Sequence, residues 1–132
     1  MAELTYPLSD GARDVVRTAS GHAVSEITLD AVLAGEIGPD DVRVSAETLR
    51  LQAGFAERGG NPQLAENLRR GAELTTFSDE ELLRFYEMLR PGRSPAAELD
   101  ALAGDLAGRG AERSAALVRE ARAAYVRRGL IA

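Results

Sequence analysis

Helix-starting and helix-ending residues divide the chain after residue 28 into segments of helical length. Each segment follows a residue whose side-chain oxygen can accept a hydrogen bond from a free backbone N–H group of a helix. These predicted caps are Thr28, Ser45, Asn61, Ser78 and Ser94, and prolines 62 and 95 are expected at first helical positions. Glycines follow the segments, and alanine, leucine, arginine and glutamate fill them. This pattern predicts helices over about residues 29–34, 46–58, 62–76, 79–90, 95–107 and 111–128.

Apolar residues in the longer segments recur every three or four positions, which places them on one face of each helix. The predicted core positions are Leu82, Phe85, Tyr86, Leu89, Leu99, Leu102, Ala103, Leu106, Ala111, Ala115, Val118, Ala121 and Tyr125. Residues 1–27 lack this periodicity, so we expect irregular structure there, with one turn around residues 11–16. The sequence therefore predicts an all-α fold: a compact bundle of about five helices behind an irregular N-terminal segment, forming a single domain over residues 1–132.

Composition excludes several classes of function. The chain has no cysteine, which rules out disulfides, thiolate zinc sites, iron–sulfur clusters and a cysteine nucleophile. The formal net charge of −5 argues against general nucleic-acid binding. No apolar run approaches the ~20 residues needed to span a bilayer, and the first residues do not resemble a secretion signal. We therefore expect a cytoplasmic protein that binds neither nucleic acid nor a membrane.

The remaining candidate chemistry is sparse. His22, the single histidine, lies in a predicted loop, and a catalytic triad would have to combine it with a scattered serine and aspartate. The acidic pair at 40–41 and the acidic run at 79–81 lack the ligand spacing of a calcium loop. Helix capping accounts for the run at 79–81. The glycines of 104–110 end a helix and so do not form a phosphate loop. We predict no catalytic, cofactor-binding or metal-binding residue on this chain.

Charge is distributed unevenly along the chain. Residues 109–132 contain six arginines and two acids, whereas residues 1–108 carry a balance of −9. The arginines favour pairing with acids of this chain or of a partner. A free-standing interaction or DNA-binding module remains an alternative, as does a stand-alone enzyme built around His22.

The order of several segments is more specific than any one of them. These segments are 6–8, 27–35, 41–49 with 52–53, 65–74, 86–94 with 98–99, and 118–121 with Tyr125. Together they resemble the small subunit of adenosylcobalamin-dependent diol and glycerol dehydratases over nearly the whole chain. The chain departs from that family at Leu68 and Gly92, where an aromatic is usual, and at Gly71, where alanine is usual. It also lacks the N-terminal extension linked to microcompartment packaging, so packaging is not expected.

The resemblance implies a holoenzyme with two copies each of a large, a medium and a small subunit. Such an enzyme converts 1,2-diols or glycerol to aldehydes and water, with adenosylcobalamin between the large and medium subunits. The small subunit packs on the large one and supplies no known catalytic group. We expect the helix end at Tyr86, Leu89, Arg90 and Arg93 to belong to that interface, because two arginines at an enforced turn suit docking against carboxylates.

Overall fold

The computed structural model describes residues 3–132, in which all regular elements are helical and one isolated antiparallel bridge joins Arg17 and Ala23. The α-helices of this part of the chain are α1 (Leu8–Gly11), α2 (Leu29–Leu33), α3 (Ala46–Arg58), α4 (Pro62–Leu74), α5 (Asp79–Met88), α6 (Ala96–Gly108) and α7 (Glu112–Arg127), and 3₁₀ turns lie at Val24–Glu26 and Pro39–Val42. The predicted all-α class is confirmed. The expected count of about five was approximate, since two short helices accompany five longer ones.

Side-chain caps start the helices at most of the predicted places. The Ser45 side chain accepts a hydrogen bond from the backbone of Thr48, and Asn61 accepts one from Leu64. Ser78 accepts one from the Glu81 backbone, while the Glu81 carboxylate accepts one from the Ser78 backbone 2.9 Å away. This reciprocal pair is a capping box, in which two otherwise free N–H groups are satisfied. The predicted starts of α3, α4 and α5 are therefore confirmed.

The predicted start of α6 is wrong by one residue. Pro95 occupies the cap position with an extended backbone, makes no side-chain cap hydrogen bond, and Ala96 is the first helical residue. Ser94, the predicted cap, is buried and lies one residue before the cap position. Instead, the Ala96 N–H donates to the carbonyl of Ala132, 3.2 Å away at the end of the chain. A distant carbonyl thus replaces the expected local cap.

Glycines follow the C-terminal ends of several of the helices, as predicted. Gly60 after α3 and Gly110 after α6 have φ values of +80° and +81°, a conformation that residues with a Cβ adopt only with strain. The glycine-rich segment at 104–110 is accordingly a helix C-terminus, as predicted.

The chain divides into two compact units, with the boundary between Leu68 and Arg69 inside α4. In the N-terminal unit, residues up to 27 are mostly irregular as predicted, and backbone hydrogen bonds from Val15 and Val16 to Ala12 form the expected turn. Tyr6 packs edge-on against Phe55 at a centroid distance of 5.8 Å. The single domain over residues 1–132 stays a prediction from chain length.

The C-terminal unit, Arg69–Ala132, holds an apolar core of its own. Helices α6 and α7 pack against each other across a short turn. The buried core residues are Phe77, Phe85, Leu99, Leu102, Ala103, Leu106, Ala111, Ala115 and Val118, with Leu82, Leu89 and Tyr125 packed against them. The predicted core faces are confirmed except at Tyr86, which is 73% exposed. Tyr86 lies at the edge of the apolar stripe of α5, and its hydroxyl favours water.

Candidate functional site

The predicted interface residues lie at the C-terminal end of α5 and in the turn that follows. Arg90 and Arg93 both face Glu87: their guanidinium nitrogens lie 3.3 and 2.8 Å from its carboxylate oxygens. Each arginine side chain is more than half exposed. The turn therefore already holds one carboxylate between two arginines and keeps one net positive charge facing solvent.

Leu89 lies on the core side of this helix end, as its place on the apolar face of α5 predicts. Its side chain is half-buried against the core, and its carbonyl accepts a 2.6 Å hydrogen bond from the Tyr125 hydroxyl. Leu89 therefore ties α5 to α7. Tyr86 and Leu83, by contrast, are both exposed and lie three residues apart, so they share the outer face of α5. The structure makes Leu83 a contact candidate that the sequence analysis missed.

A second exposed apolar face, which the sequence analysis did not identify, lies on α2. Leu29, Val32 and Leu33 recur at helical spacing and are 73%, 49% and 77% exposed. We call these three residues the α2 face. Three further exposed aliphatic residues lie on neighbouring segments: Ile27, Val42 and Val44. Soluble proteins rarely leave adjoining large aliphatic side chains in water unless another molecule covers them.

Asp41 fixes the loop structure around this region. Its carboxylate accepts hydrogen bonds from the hydroxyls of Thr18 and Ser20 and from the backbone of Gly38, which lies 2.9 Å away. The Ser20 hydrogen bond, followed by that from Gly38, lowers the pKa of Asp41 below its usual range. Asp41 therefore holds two irregular segments together as a charged hydrogen-bond acceptor.

The arrangement around His22 is not that of a catalytic triad. Ser20 donates directly to Asp41, whereas Nδ1 of His22 lies 3.8 Å from Oε1 of Glu26. A triad needs the histidine between the nucleophile and the acid, so that it can take the proton of the hydroxyl. The fold brings Asp41 to Ser20, 21 residues away, but the hydrogen bonds of Ser20, His22 and Asp41 do not run in that order.

The other acidic clusters serve the fold. Glu81 belongs to the capping box of α5 and accepts a 2.6 Å hydrogen bond from Arg109. The Arg109 hydrogen bond is the main cause that lowers the pKa of Glu81, and Glu81 in turn raises the pKa of Arg109. Within residues 3–132, no group of three or more histidine, cysteine or acidic side chains is arranged to hold a metal ion.

Several arginines of the basic C-terminal segment reach acids of the same chain. Arg109 lies over the Phe77 ring at 3.9 Å while it bonds Glu81, and Arg122 Nε lies 3.2 Å from an Asp100 oxygen. Arg113 lies 3.9 Å from Glu73. These three arginines therefore pair with acids of this chain, which is one of the two kinds of pairing that the sequence predicts. No helix of the described residues has the length and apolarity to cross a membrane.

Comparison with known proteins points to one family. The model of a family described as dehydratase small subunit matches residues 1–132. The chain is 44% identical over 124 residues to the propanediol dehydratase small subunits of Citrobacter freundii and Salmonella typhimurium. In each case the match covers 93% of this chain and 72% of the relative. The resemblance inferred from the ordered sequence segments is thereby confirmed.

Proposed function

Because the chain belongs to the dehydratase small-subunit family, we propose that it is the non-catalytic small subunit of a heteromeric diol or glycerol dehydratase. The enzyme converts a 1,2-diol or glycerol to an aldehyde and water. This chain packs on the large catalytic subunit and stabilises it. The exposed apolar α2 face carries the proposal, because a surface of this kind is stable in water only when a partner covers it.

The charged side chains of the chain support a structural role. Asp41 joins two loop segments, Glu81 caps α5 and binds Arg109, and Glu87 sits between Arg90 and Arg93. A catalytic acid or base needs a free lone pair or proton directed at substrate. These carboxylates instead direct their oxygens at groups of the same chain.

The proposed partners are large and medium subunits, two copies of each with two of this chain, in the cytoplasm. Adenosylcobalamin is placed between the large and medium subunits, where it supplies the radical that starts the reaction. Three hollows on the described part of the chain, of about 270, 420 and 350 Å³, are open to solvent, whereas cofactor sites enclose most of their ligand. This openness supports a position for the cofactor on the other subunits.

Co-production with the large and medium subunits tests the proposal. A tag on this chain should recover both subunits, and the assembly should form aldehyde from propane-1,2-diol after adenosylcobalamin is added. The large and medium subunits without this chain should lose activity faster on storage than the complete assembly, since binding of this chain to the folded large subunit stabilises it. Failure to recover the large subunit, together with unchanged activity when this chain is omitted, would contradict the proposal.

A further inference from the structure

The α2 face is unusual because the helix turns its apolar side outward. A helix of five residues gains little stability from its own hydrogen bonds, and helices this short persist through packing of their apolar face. Here Leu29 and Leu33, the most exposed large aliphatic side chains of α2, have their faces in solvent. The packing that would hold this apolar side is thus not supplied by the chain itself.

An acidic hollow borders the same helix beside Asp30, which is three positions from Leu33. Its lining includes Asp30 and Ala31 of α2 and Ala34 directly after it, together with Glu26 and Glu36. Three carboxylates therefore border an open space of about 420 Å³, and the single histidine of the chain, His22, is at its edge. The hollow is large enough to admit a long basic side chain, and its charge attracts one.

These two features define the chemistry of the occupant. We propose that the α2 face and the acidic hollow form one docking surface for the large subunit, whose complementary segment carries aliphatic side chains flanked by arginine or lysine. The aliphatic side chains cover Leu29, Val32 and Leu33, and a cation enters the hollow beside Asp30 and Glu36. This inference rests on the proposed function, since it identifies where the small subunit meets its partner.

A second copy of this chain fits the surface poorly. A two-fold dimer would place the same patch on both sides of the interface, so the carboxylates of Glu26, Asp30 and Glu36 from both copies would be brought into one interface. Like charges brought together at an interface oppose association. Complementarity of charge thus favours a basic-rimmed partner over self-association.

Two double variants test the apolar and the acidic parts separately. Leu29→Gln with Leu33→Gln removes the apolar contact while keeping good helix-forming residues on exposed positions. Asp30→Asn with Glu36→Gln removes two charges at nearly constant shape. The matched control is Leu117→Gln with Val126→Gln, which changes two exposed aliphatic residues of α7. Affinity for the large subunit is measured by titration across a salt series, and thermal melting of each free variant checks its folding.

We expect the Leu29/Leu33 variant to bind the large subunit at least about tenfold more weakly, as truncation of central contacts does. The Asp30/Glu36 variant should bind more weakly at low salt and lose most of the salt dependence of the wild type. The control should bind within about twofold of the wild type.

Other outcomes overturn the inference. Wild-type binding by both double variants would place the interface elsewhere, and an unchanged salt dependence in the Asp30/Glu36 variant would exclude a basic partner segment. Equal loss of binding by the α7 control would mean that the α2 face is not a specific binding surface for the large subunit. Capture of the medium subunit alone, or self-association through Leu29 and Leu33, would assign the surface to a different occupant. If the wild type itself does not bind the large subunit, the proposed function fails, and that result differs from binding that survives in the variants.

Discussion

The Glu73 carboxylate caps the N-terminus of α7 through Ser114. Its Oε2 accepts hydrogen bonds from the Ser114 backbone at 2.9 Å and from the Ser114 hydroxyl at 2.8 Å, and Oε1 accepts one from the Arg113 backbone at 3.0 Å. The residue at the cap position of α7 itself, Ala111, makes no side-chain cap hydrogen bond. Only 9% of the Glu73 side chain is exposed. A carboxylate of α4 therefore does for α7 what a local serine or aspartate usually does, and its negative charge suits the helix dipole.

Replacement of Glu73 by alanine should destabilise the chain by about 2–3 kcal/mol, because it leaves several donors of α7 without an acceptor. Glu73→Gln keeps one oxygen acceptor and should cost about half as much. Glu112→Ala, an exposed change in the first turn of α7, serves as the control and should have a small effect. Urea unfolding monitored by circular dichroism measures all three, and equal midpoints for Glu73→Ala and the control would show that the cap contributes nothing.

The pair Glu81–Arg109 should make stability depend on pH. The Arg109 and Ser78 hydrogen bonds lower the pKa of Glu81 in the folded state relative to the unfolded chain. A carboxyl whose pKa is lowered on folding contributes stability at neutral pH and loses it as the pH falls through the carboxylate range, below about pH 5. The melting temperature should therefore decline on acidification.

Glu81→Gln should melt at a lower temperature than the wild type at pH 7 and approach it at about pH 3. Asp41, whose pKa is lowered mainly by Ser20, leaves a residual decline in both proteins. Parallel curves of melting temperature against pH for wild type and Glu81→Gln would mean that the Arg109 contact does not favour the charged carboxylate.

Local features of the structure were predictable from sequence, and long-range pairings were not. Caps such as Ser45 and Ser78 act on residues three positions away, so their partners are fixed by the chain itself. Arg109 has Asp105 at the favourable spacing for a helix pair, yet its hydrogen bond goes to Glu81, 28 residues away. That choice depends on how α5 and α6 fold together within the C-terminal unit. The periodicity of apolar residues does not indicate which distant charged side chains will pair.

The exposed face of α2 shows the same limit. Leu29, Val32 and Leu33 have the spacing of a buried stripe, so the sequence predicts a helix correctly but does not tell which side faces solvent. Tyr86 is a second such case, since its place on an apolar stripe predicted burial and the structure exposes it. For a chain that binds a partner, the apolar pattern marks both the internal core and the external contact.

Alanine substitutions of a glycine inside a helix and of a glycine after a helix end should change stability in opposite directions. A Cβ at Gly104, on the exposed side of α6, would meet no atom within 4 Å, so Gly104→Ala should stabilise the chain by about 0.5–1 kcal/mol. Gly110 has equally open surroundings but a φ of +81°, so Gly110→Ala should destabilise by about 1 kcal/mol. Thermal melting of both variants is the measurement, and a shift of the same sign in both would contradict the assigned backbone roles.

Replacement of Arg90 and Arg93 by alanine tests whether the turn after α5 contributes to binding of the large subunit or to the stability of the free chain. Both side chains are more than half exposed, and their ion pairs with Glu87 are of the surface kind that contributes at most about 1 kcal/mol. Melting of the free chain should therefore change little. If the turn docks on carboxylates of the large subunit, recovery of that subunit should fall several-fold, because the variant presents the uncompensated Glu87 in place of a net positive charge. Arg127→Ala with Arg128→Ala removes the same charge at the exposed end of α7 and should leave recovery unchanged. Equal recovery by both double variants would limit Arg90 and Arg93 to favourable charges at a helix C-terminus.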